Sequence, residues 1–248
     1  MEEELTTNDA HWNDQDSEHF IDYGNFYVPD RETQIEIICS MIPPVHEPSH
    51  MVDLCCGQGL LAKALLEQSE RSIVHGLDGS QTMLENARKL LSEHGDRFQT
   101  QFIELASTSW RKFPWPLHAV VSSLAIHHLD DIQKAQLYKD IADALRPGGV
   151  FIIADLVQPK NQLGMKVAAK GWDDAVHRRS LELSNNLEAY EFFLADKWNY
   201  YAYPESDVDK PSALFDQLKW LESAGLTDVD VFWMKAGHAI FGGRKPTP

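Results

Sequence analysis

Residues 52–65 read VDLCCGQGLLAKAL, an apolar run followed by two closely spaced glycines and a helical pattern. Glycine allows a ligand to approach the backbone closely, and the first turn of a helix presents free N–H groups. Asp78 follows nineteen residues after Gly59, at the end of the next apolar run, where a carboxylate can accept hydrogen bonds from both hydroxyls of a ribose. This segment therefore predicts a nucleoside site at the carboxyl edge of an open parallel sheet.

The same pattern of short apolar run, turn and amphipathic stretch recurs along the chain. The runs are rich in β-branched residues and too short for buried helices, and they occupy residues 50–55, 72–77, 100–105, 119–123 and 150–155. Helical patterns lie between them, and Pro147-Gly148-Gly149 is expected to end one of these helices. Alternation of strands and helices predicts an α/β fold with a doubly wound parallel sheet.

The two ends of the chain differ from this core. Residues 1–19 are acidic and polar, so we expect a flexible N-terminus followed by a single domain over residues 20–248. Residues 156–210 form a helical, aromatic-rich insertion, which we expect to cover the substrate as a lid or to cage an amine. Residues 228–235 and 238–244 flank a short turn and predict an antiparallel hairpin.

The composition limits the classes of partner. The 248 residues carry a net charge of −16, which disfavours nucleic acid and anionic membranes. Three cysteines are too few for a disulfide framework or a zinc site. The acidic start lacks the apolar core of a signal peptide, and no apolar run approaches the roughly 18 residues of a membrane span. We therefore expect a cytoplasmic protein with a small-molecule partner.

Two classes of nucleoside cofactor fit the glycine segment. The spacing Gly57-x-Gly59-x-x-Ala62 matches the dinucleotide fingerprint of nucleotide-linked oxidoreductases. The same spacing also suits S-adenosylmethionine, and Asp53 favours this second class. A carboxylate at the end of the strand can face the cationic aminopropyl group of S-adenosylmethionine, whereas it would repel a pyrophosphate.

Five segments together resemble the class I S-adenosylmethionine-dependent methyltransferases, especially their small-molecule branch. They are VDLCCGQGLLAKAL (52–65), GLDGSQTML (76–84), VVSSLAIHHLDD (120–131), LRPGGVFIIAD (145–155) and LKWLESAGLTDVDV (218–231). The resemblance covers roughly residues 20–245 and implies a Rossmann-like fold with seven strands. It also implies S-adenosylmethionine as the cofactor and methyl transfer to O, N or C of a small molecule.

The resemblance implies a set of residues around the cofactor. Asp53, Gly57 and Gly59 would line its methionine end, Asp78 would hold the ribose, and Met83 would pack against the adenine. The remaining candidates lie on later segments, with Glu104 and Leu105 near the adenine and Ser122 and Leu124 beside the methionine moiety.

Two residues bear on the methionine end in other ways. Arg31 is placed in the N-terminal segment to close over the cofactor, where a guanidinium could pair with the methionine carboxylate. Cys55 departs from the family, which has glycine at this position, and so the approach of the cofactor to the backbone is crowded.

The candidate catalytic residues are His127 and His128, which follow the fourth strand. Methyl transfer from a sulfonium depends largely on proximity, but a hydroxyl or carboxyl acceptor also calls for a base, and histidine titrates near neutral pH. Asp155 is a candidate for substrate contact. We expect no metal site, because adjacent histidines point in different directions and no third ligand accompanies them at a recognisable spacing.

Three alternatives stay open at this stage. A nucleotide-linked oxidoreductase predicts nicotinamide binding, and a tRNA-modifying methyltransferase predicts binding of tRNA. A cofactor-binding module without catalysis is consistent with Cys55 in the glycine loop and with a sequence that does not identify which group would act as the base.

Overall fold

The computed structural model describes residues 14–204 and 208–248, which form a seven-stranded sheet with helices on both faces. The strands are β1 (Ser49–Leu54), β2 (Ser72–Asp78), β3 (Phe98–Phe102), β4 (Leu117–Ser123), β5 (Leu145–Leu156), β6 (Thr227–Lys235) and β7 (His238–Arg244). The helices are α1 (Asp14–Tyr27), α2 (Arg31–Met41), α3 (Leu60–Gln68), α4 (Gln81–Leu90), α5 (Asp131–Ala144), α6 (Gln162–Ser184), α7 (Glu188–Ala195) and α8 (Leu214–Ser223). Two 3₁₀ helices cover Ser92–Arg97 and Ile126–His128.

The strand order is β3-β2-β1-β4-β5-β7-β6, and β1 to β5 pair in parallel. The order reverses between β1 and β4, so the carboxyl ends of these two strands flank the crevice in which α/β proteins bind ligands. β7 pairs antiparallel with β5 and with β6. The predicted Rossmann-like seven-stranded sheet and its C-terminal hairpin are therefore confirmed.

Three apolar clusters hold the layers together. One joins the sheet to α5 and α8 and includes the fully buried Tyr138. A second, on the opposite face, joins the sheet to α2 and α3 and includes Leu65. The third packs α1 against the insertion through Tyr27, Trp172 and Phe193. The aromatic residues of the insertion thus pack against the N-terminal helix as well as against the sheet.

The largest differences from the predicted strand boundaries are at the end of β3 and at the start of β5. β3 ends at Phe102 rather than at residue 105. Helix α5 ends at Ala144, and Pro147-Gly148-Gly149 lies within β5 instead of ending the helix. The backbone N–H of Gly148 donates to the carbonyl of Lys245, and the N–H of Lys245 donates to Gly149. Pairing with the chain after β7 therefore draws this segment into the sheet.

The N-terminal segment is tied to the insertion. The flexible N-terminus expected over residues 1–19 falls largely outside the described residues, and from Asp14 the chain is helical. Arg179 of α6 pairs with both carboxylate oxygens of Glu32, at 2.8 and 3.0 Å, and donates to the carbonyl of Asn25 at 2.8 Å. Among the described helices, none has the length and apolar character needed to cross a membrane.

Candidate functional site

The glycine loop connects β1 to α3 at the carboxyl edge of the sheet. Gly57 and Gly59 have φ angles of +51° and +84°, in the left-handed region that glycine adopts without steric cost. A Cβ on Gly59 would meet the Leu91 side chain at 3.0 Å, whereas a Cβ on Gly57 would meet nothing closer than Met83 Sδ, at 3.9 Å. Packing against the end of α4 therefore explains Gly59, and Gly57 leaves room for a ligand.

Two residues without the freedom of glycine adopt the same backbone region beside this loop. Cys55 has φ of +56° and Leu124 has φ of +54°, and both line one cavity. A left-handed conformation costs a non-glycine residue about 1–2 kcal/mol, and such strain is concentrated at functional sites. The φ of Cys55 gives a physical reason for a glycine at this position.

The Asp78 carboxylate holds the glycine loop in place. Its Oδ2 accepts the backbone N–H of Gly57 at 2.8 Å, and its Oδ1 accepts the N–H of Ser80 at 2.8 Å. Burial raises the pKa of Asp78, and these two hydrogen bonds oppose the rise. Each carboxylate oxygen has a second lone pair, so Asp78 can accept the two hydroxyls of a ribose while it holds the loop.

A small cavity of about 40 Å³ lies between the glycine loop and the N-terminal segment. Asp53 is 1% exposed at its wall, and its Oδ2 accepts the backbone N–H of Ala62 at 2.9 Å. Burial raises the pKa of Asp53 to about 7. A cation entering the cavity would find this carboxylate already desolvated, which strengthens their attraction.

Helix α1 and the start of α2 cover the cavity. Gln58 Nε2 donates to the carbonyl of Ile21 at 3.1 Å, and Arg31 Nη1 donates to the carbonyl of Gly24 at 3.2 Å. Burial lowers the pKa of Arg31 to about 10. This value is still well above neutral pH, so the guanidinium beside Asp53 is cationic there. The cavity holds only a few atoms, so it is smaller than a nucleoside.

A second polar cluster lies beyond the carboxyl ends of β4 and β5. His127 donates its backbone N–H to Asp155 Oδ2 at 2.9 Å, and its Nδ1 lies 2.5 Å from Asp155 Oδ1. Asp209 Oδ1 lies 3.3 Å from His127 Nε2 and 3.4 Å from His128 Nδ1. We call His127, His128, Asp155 and Asp209 the His127 cluster.

The two histidines of this cluster differ in charge. Burial alone would lower the pKa of His127, but the Asp155 and Asp209 carboxylates raise it to about 10. Burial, followed by the positive charge of His127, lowers the pKa of His128 to about 4. At neutral pH His127 is therefore an imidazolium between two carboxylates, and His128 is neutral.

Comparisons with known proteins place this arrangement in a family. The family model described as a methyltransferase domain matches residues 51–149. Trans-aconitate 2-methyltransferase of Acidovorax sp. (strain JS42) is 30% identical over 222 residues, covering 82% of this chain and 78% of the relative. The chain belongs to the class I S-adenosylmethionine-dependent methyltransferases.

Solved methyltransferase structures share the fold. An O-methyltransferase family protein from Burkholderia thailandensis has a TM-score of 0.63 and 16% identity, and the match covers 95% of this chain and 61% of that one. Phosphoethanolamine N-methyltransferase 2 of Haemonchus contortus, in complex with phosphomonomethylethanolamine and S-adenosylhomocysteine, has a TM-score of 0.62 and 16% identity, covering 95% and 59%. At this identity the likeness shows the fold.

The structure of this methyltransferase brings most of the predicted cofactor residues together. Four of them line the small cavity, namely Arg31, Asp53, Gly57 and Leu124. Asp78 and Met83 adjoin it through Gly57, whose N–H binds Asp78. Ser122 lies apart from the cavity, because its hydroxyl donates to the carbonyl of Leu54 at 2.9 Å, and the next residue, Ser123, lines the cavity instead.

Glu104 and Leu105 lie in the segment after β3, next to the end of β2. The N–H of Ile103 donates to the carbonyl of Asp78 at 2.9 Å, which sets the segment beside the ribose candidate. The carbonyl of Glu104 accepts Trp110 Nε1 at 3.0 Å, and its side chain is exposed. Leu105 is half-buried.

The sequence of this methyltransferase does not indicate several residues that lie at the site. Phe20 and Gln58 line the small cavity, and Asp209 completes the His127 cluster. His238 is buried at the start of β7, and its Nε2 has no hydrogen-bond partner among the described residues. Gln58 lies within the glycine loop itself, whereas no motif marks Phe20, Asp209 or His238, which come from segments distant in sequence.

Proposed function

We propose that this methyltransferase transfers the methyl group of S-adenosylmethionine to a small-molecule acceptor held between the His127 cluster and the insertion, residues 156–210. The observation that carries the proposal is the cavity in which Arg31 and Asp53 adjoin the glycine loop. A guanidinium and a carboxylate at one wall match the carboxylate and ammonium groups of the methionine moiety.

The proposed cofactor pose follows the sheet edge. The methionine end lies at Asp53 and Arg31, the ribose lies at Asp78, and the adenine lies between Met83 and the segment of Glu104 and Leu105. Asp78 supports the ribose position because its Oδ2 binds the glycine loop and its Oδ1 binds Ser80 before α4, which leaves a lone pair on each oxygen for a hydroxyl. The methyl group then points towards β4 and the His127 cluster, which follows that strand.

The chemistry of the transfer requires little from the protein beyond positioning. The sulfonium supplies an electrophilic methyl group, and the protein holds the acceptor in line with it and excludes water. His127 is protonated at neutral pH and has no lone pair to accept a proton. Of the two predicted bases, His128 is therefore the one that can assist an acceptor that must lose a proton.

The relative from Acidovorax makes trans-aconitate the first acceptor to assay. The net charge of −16 favours a small acceptor over tRNA, since a polyanion would be repelled by the protein as a whole. The buried aromatic side chains of the insertion, among them Trp172 and Tyr201, pack with Tyr27 and hold the insertion beside the space proposed for the acceptor.

Calorimetry with S-adenosylmethionine tests the cofactor half of the proposal. We expect wild-type protein to bind at tens of micromolar or tighter and Asp78→Asn to bind at least about 100-fold more weakly, because the ribose loses a charged acceptor and the loop loses its anchor. Asp96→Asn is the matched control, since Asp96 is an exposed aspartate on the same half of the sheet. Unchanged binding by Asp78→Asn would overturn this pose.

Methyl transfer to a panel tests the acceptor half. The panel contains trans-aconitate, a phenol, a primary amine and tRNA, and mass spectrometry detects the methylated product. Transfer to one of the small molecules supports the proposal. Transfer to tRNA alone contradicts it, and cofactor binding without turnover on any acceptor favours a non-catalytic module.

A further inference from the structure

Three side chains of metal-ligand type converge at the carboxyl edge of β4. One ligand atom from each of His127, His128 and Asp209 lies within 4.8 Å of the other two. The Asp209 Oδ1 atom is 3.3 Å from His127 Nε2 and 3.4 Å from His128 Nδ1. With metal–ligand bonds of about 2.0–2.1 Å, ligand atoms of a tetrahedral site are about 3.4 Å apart, so these separations need little adjustment to accept an ion.

The environment of His127 matches that of a metal-ligating histidine. Its Nδ1 lies 2.5 Å from Asp155 Oδ1, which directs its Nε2 towards Asp209. Asp155 is 3% exposed and also accepts the backbone N–H groups of His127 and Leu156, at 2.9 and 2.8 Å. A carboxylate behind a ligating histidine fixes the tautomer and the ring orientation, and it is a regular feature of metal sites.

The ligands come from two separate parts of the chain. His127 and His128 lie on the 3₁₀ helix after β4, and Asp209 lies at the end of the insertion. The sequence predicted no metal because it offered no third ligand at a recognisable spacing. Folding supplies that ligand, and an ion bound here would join the insertion to the edge of the sheet.

We propose that His127, His128 and Asp209 bind a divalent transition-metal ion such as Zn²⁺, with Asp155 orienting His127. Two histidines and one carboxylate are the protein ligands of many catalytic zinc and non-haem iron sites, in which a further position is open to water or substrate. His128 Nδ1 also lies 3.2 Å from the carbonyl of Val208, so ligation requires its ring proton to lie on Nε2. The competing state is the ion pair of protonated His127 with the two carboxylates.

The consequence for catalysis rests on the proposed function. An ion held by these residues would lie beside the space proposed for the acceptor, where it would supply stabilisation of negative charge on an acceptor oxygen. His128 would then be a ligand and could not also act as the base, and the lowered pKa of an ion-bound hydroxyl would let its proton pass to solvent.

The test is a titration of chelator-treated full-length protein with Zn²⁺ and with Co²⁺, without cofactor or acceptor. Calorimetry gives the stoichiometry, and the visible spectrum of Co²⁺ reports a four- or five-coordinate site. We expect one site, an affinity loss of at least about 100-fold in Asp209→Asn and His128→Gln, and a loss of about 10–100-fold in Asp155→Asn. Thermal unfolding without metal verifies that each variant is folded.

A second histidine pair provides the matched control. His50 Nδ1 lies 2.9 Å from His75 Nε2, so this pair can bind metal adventitiously, and His50→Gln should leave the proposed site intact. The proposal is wrong if wild type and Asp209→Asn bind Zn²⁺ alike, or if His50→Gln abolishes the binding. Since no cofactor or acceptor is present, metal binding can fail while methyl transfer stands, and the reverse also holds.

Discussion

The glycine-loop side and the His127 side of the same sheet edge are built from different kinds of contact. On the first side, the backbone N–H groups of Gly57 and Ser80, in the turns after β1 and β2, bind Asp78, which is only 21 positions from Gly57. On the second side, the side chains of His127, Asp155 and Asp209 come from three separate segments. A site built on backbone groups depends on local geometry, whereas a site built on side chains depends on how the insertion folds back. Substitutions on the first side should therefore alter cofactor affinity, and those on the second should alter stability.

The largest effect is expected on the His127 side. Asp155→Ala removes the more deeply buried partner of the His127 imidazolium and should lower the free energy of unfolding by about 3–5 kcal/mol, because it leaves that buried charge with Asp209 alone. Asp155→Asn retains a hydrogen-bond acceptor in its amide oxygen and should lower the free energy of unfolding by a smaller amount. Urea unfolding measures both, with the exposed Asp143→Ala as a control expected within about 0.5 kcal/mol of wild type. A loss below about 1 kcal/mol in Asp155→Ala would contradict this description of the cluster.

On the glycine-loop side, Arg31→Gln should weaken S-adenosylmethionine binding by about 10–100-fold, or about 1.4–2.7 kcal/mol, because the methionine carboxylate loses its cationic partner. The free energy of unfolding should change less than the free energy of cofactor binding. Arg178→Gln is the matched control, since Arg178 is an exposed arginine of α6 with ion pairs near 3.8 Å. Equal affinities of the Arg31 variant and wild type would remove Arg31 from the cofactor site.

Through the titration of Asp53, a rise in pH should increase cofactor affinity and decrease the stability of the fold. Its pKa is raised to about 7 in the folded protein, so its contribution to stability is greatest below its unfolded pKa near 3.8 and is lost as the pH rises through 7. Binding of the cationic cofactor needs the ionised carboxylate, so affinity should fall by up to about tenfold per pH unit below 7. Calorimetry and urea unfolding between about pH 5.5 and 7.5 measure the two trends. Asp53→Asn should abolish both, and trends that persist in this variant would assign them to another group.

The smallest effect concerns the backbone of the glycine loop. Cys55→Gly and Cys55→Ala lose the same thiol, so their difference reports the cost of the left-handed conformation at φ +56°. The glycine variant should be more stable than the alanine variant by about 1 kcal/mol, the reverse of the order at a helical site. Thermal and urea unfolding measure the difference. An alanine variant of equal or greater stability would show that the loop relaxes and that Cys55 is not strained.

The sequence predicts the residues of the glycine-loop side much better than those of the His127 side. The glycine loop, Asp53 and Asp78 could be identified because their spacing within one unit fixes their geometry. The Ser122 hydroxyl donates to Leu54 in β1 while Ser123 lines the cavity, a difference that follows from the twist at the strand end and cannot be predicted from a pattern of alternation. Asp209 could not be found, because its position depends on the path of the whole insertion.

The N-terminal segment illustrates the same limit of local pattern. Helix α1 covers the small cavity, yet the polar sequence of its first residues, up to residue 19, predicts a flexible N-terminus. Its helical form depends on the aromatic cluster of Tyr27, Trp172 and Phe193, which forms only when the insertion packs against it. Tertiary packing therefore decides the structure of a segment whose own sequence is ambiguous.

The side chain of Arg179 connects the segments that cover the cavity. It binds Asn25 at the end of α1 and Glu32 on α2, while its own helix, α6, belongs to the insertion. We expect α1 to move outward when the cofactor binds, because the cavity is too small to hold it, and this movement should carry α6 along and open the space proposed for the acceptor in the same event.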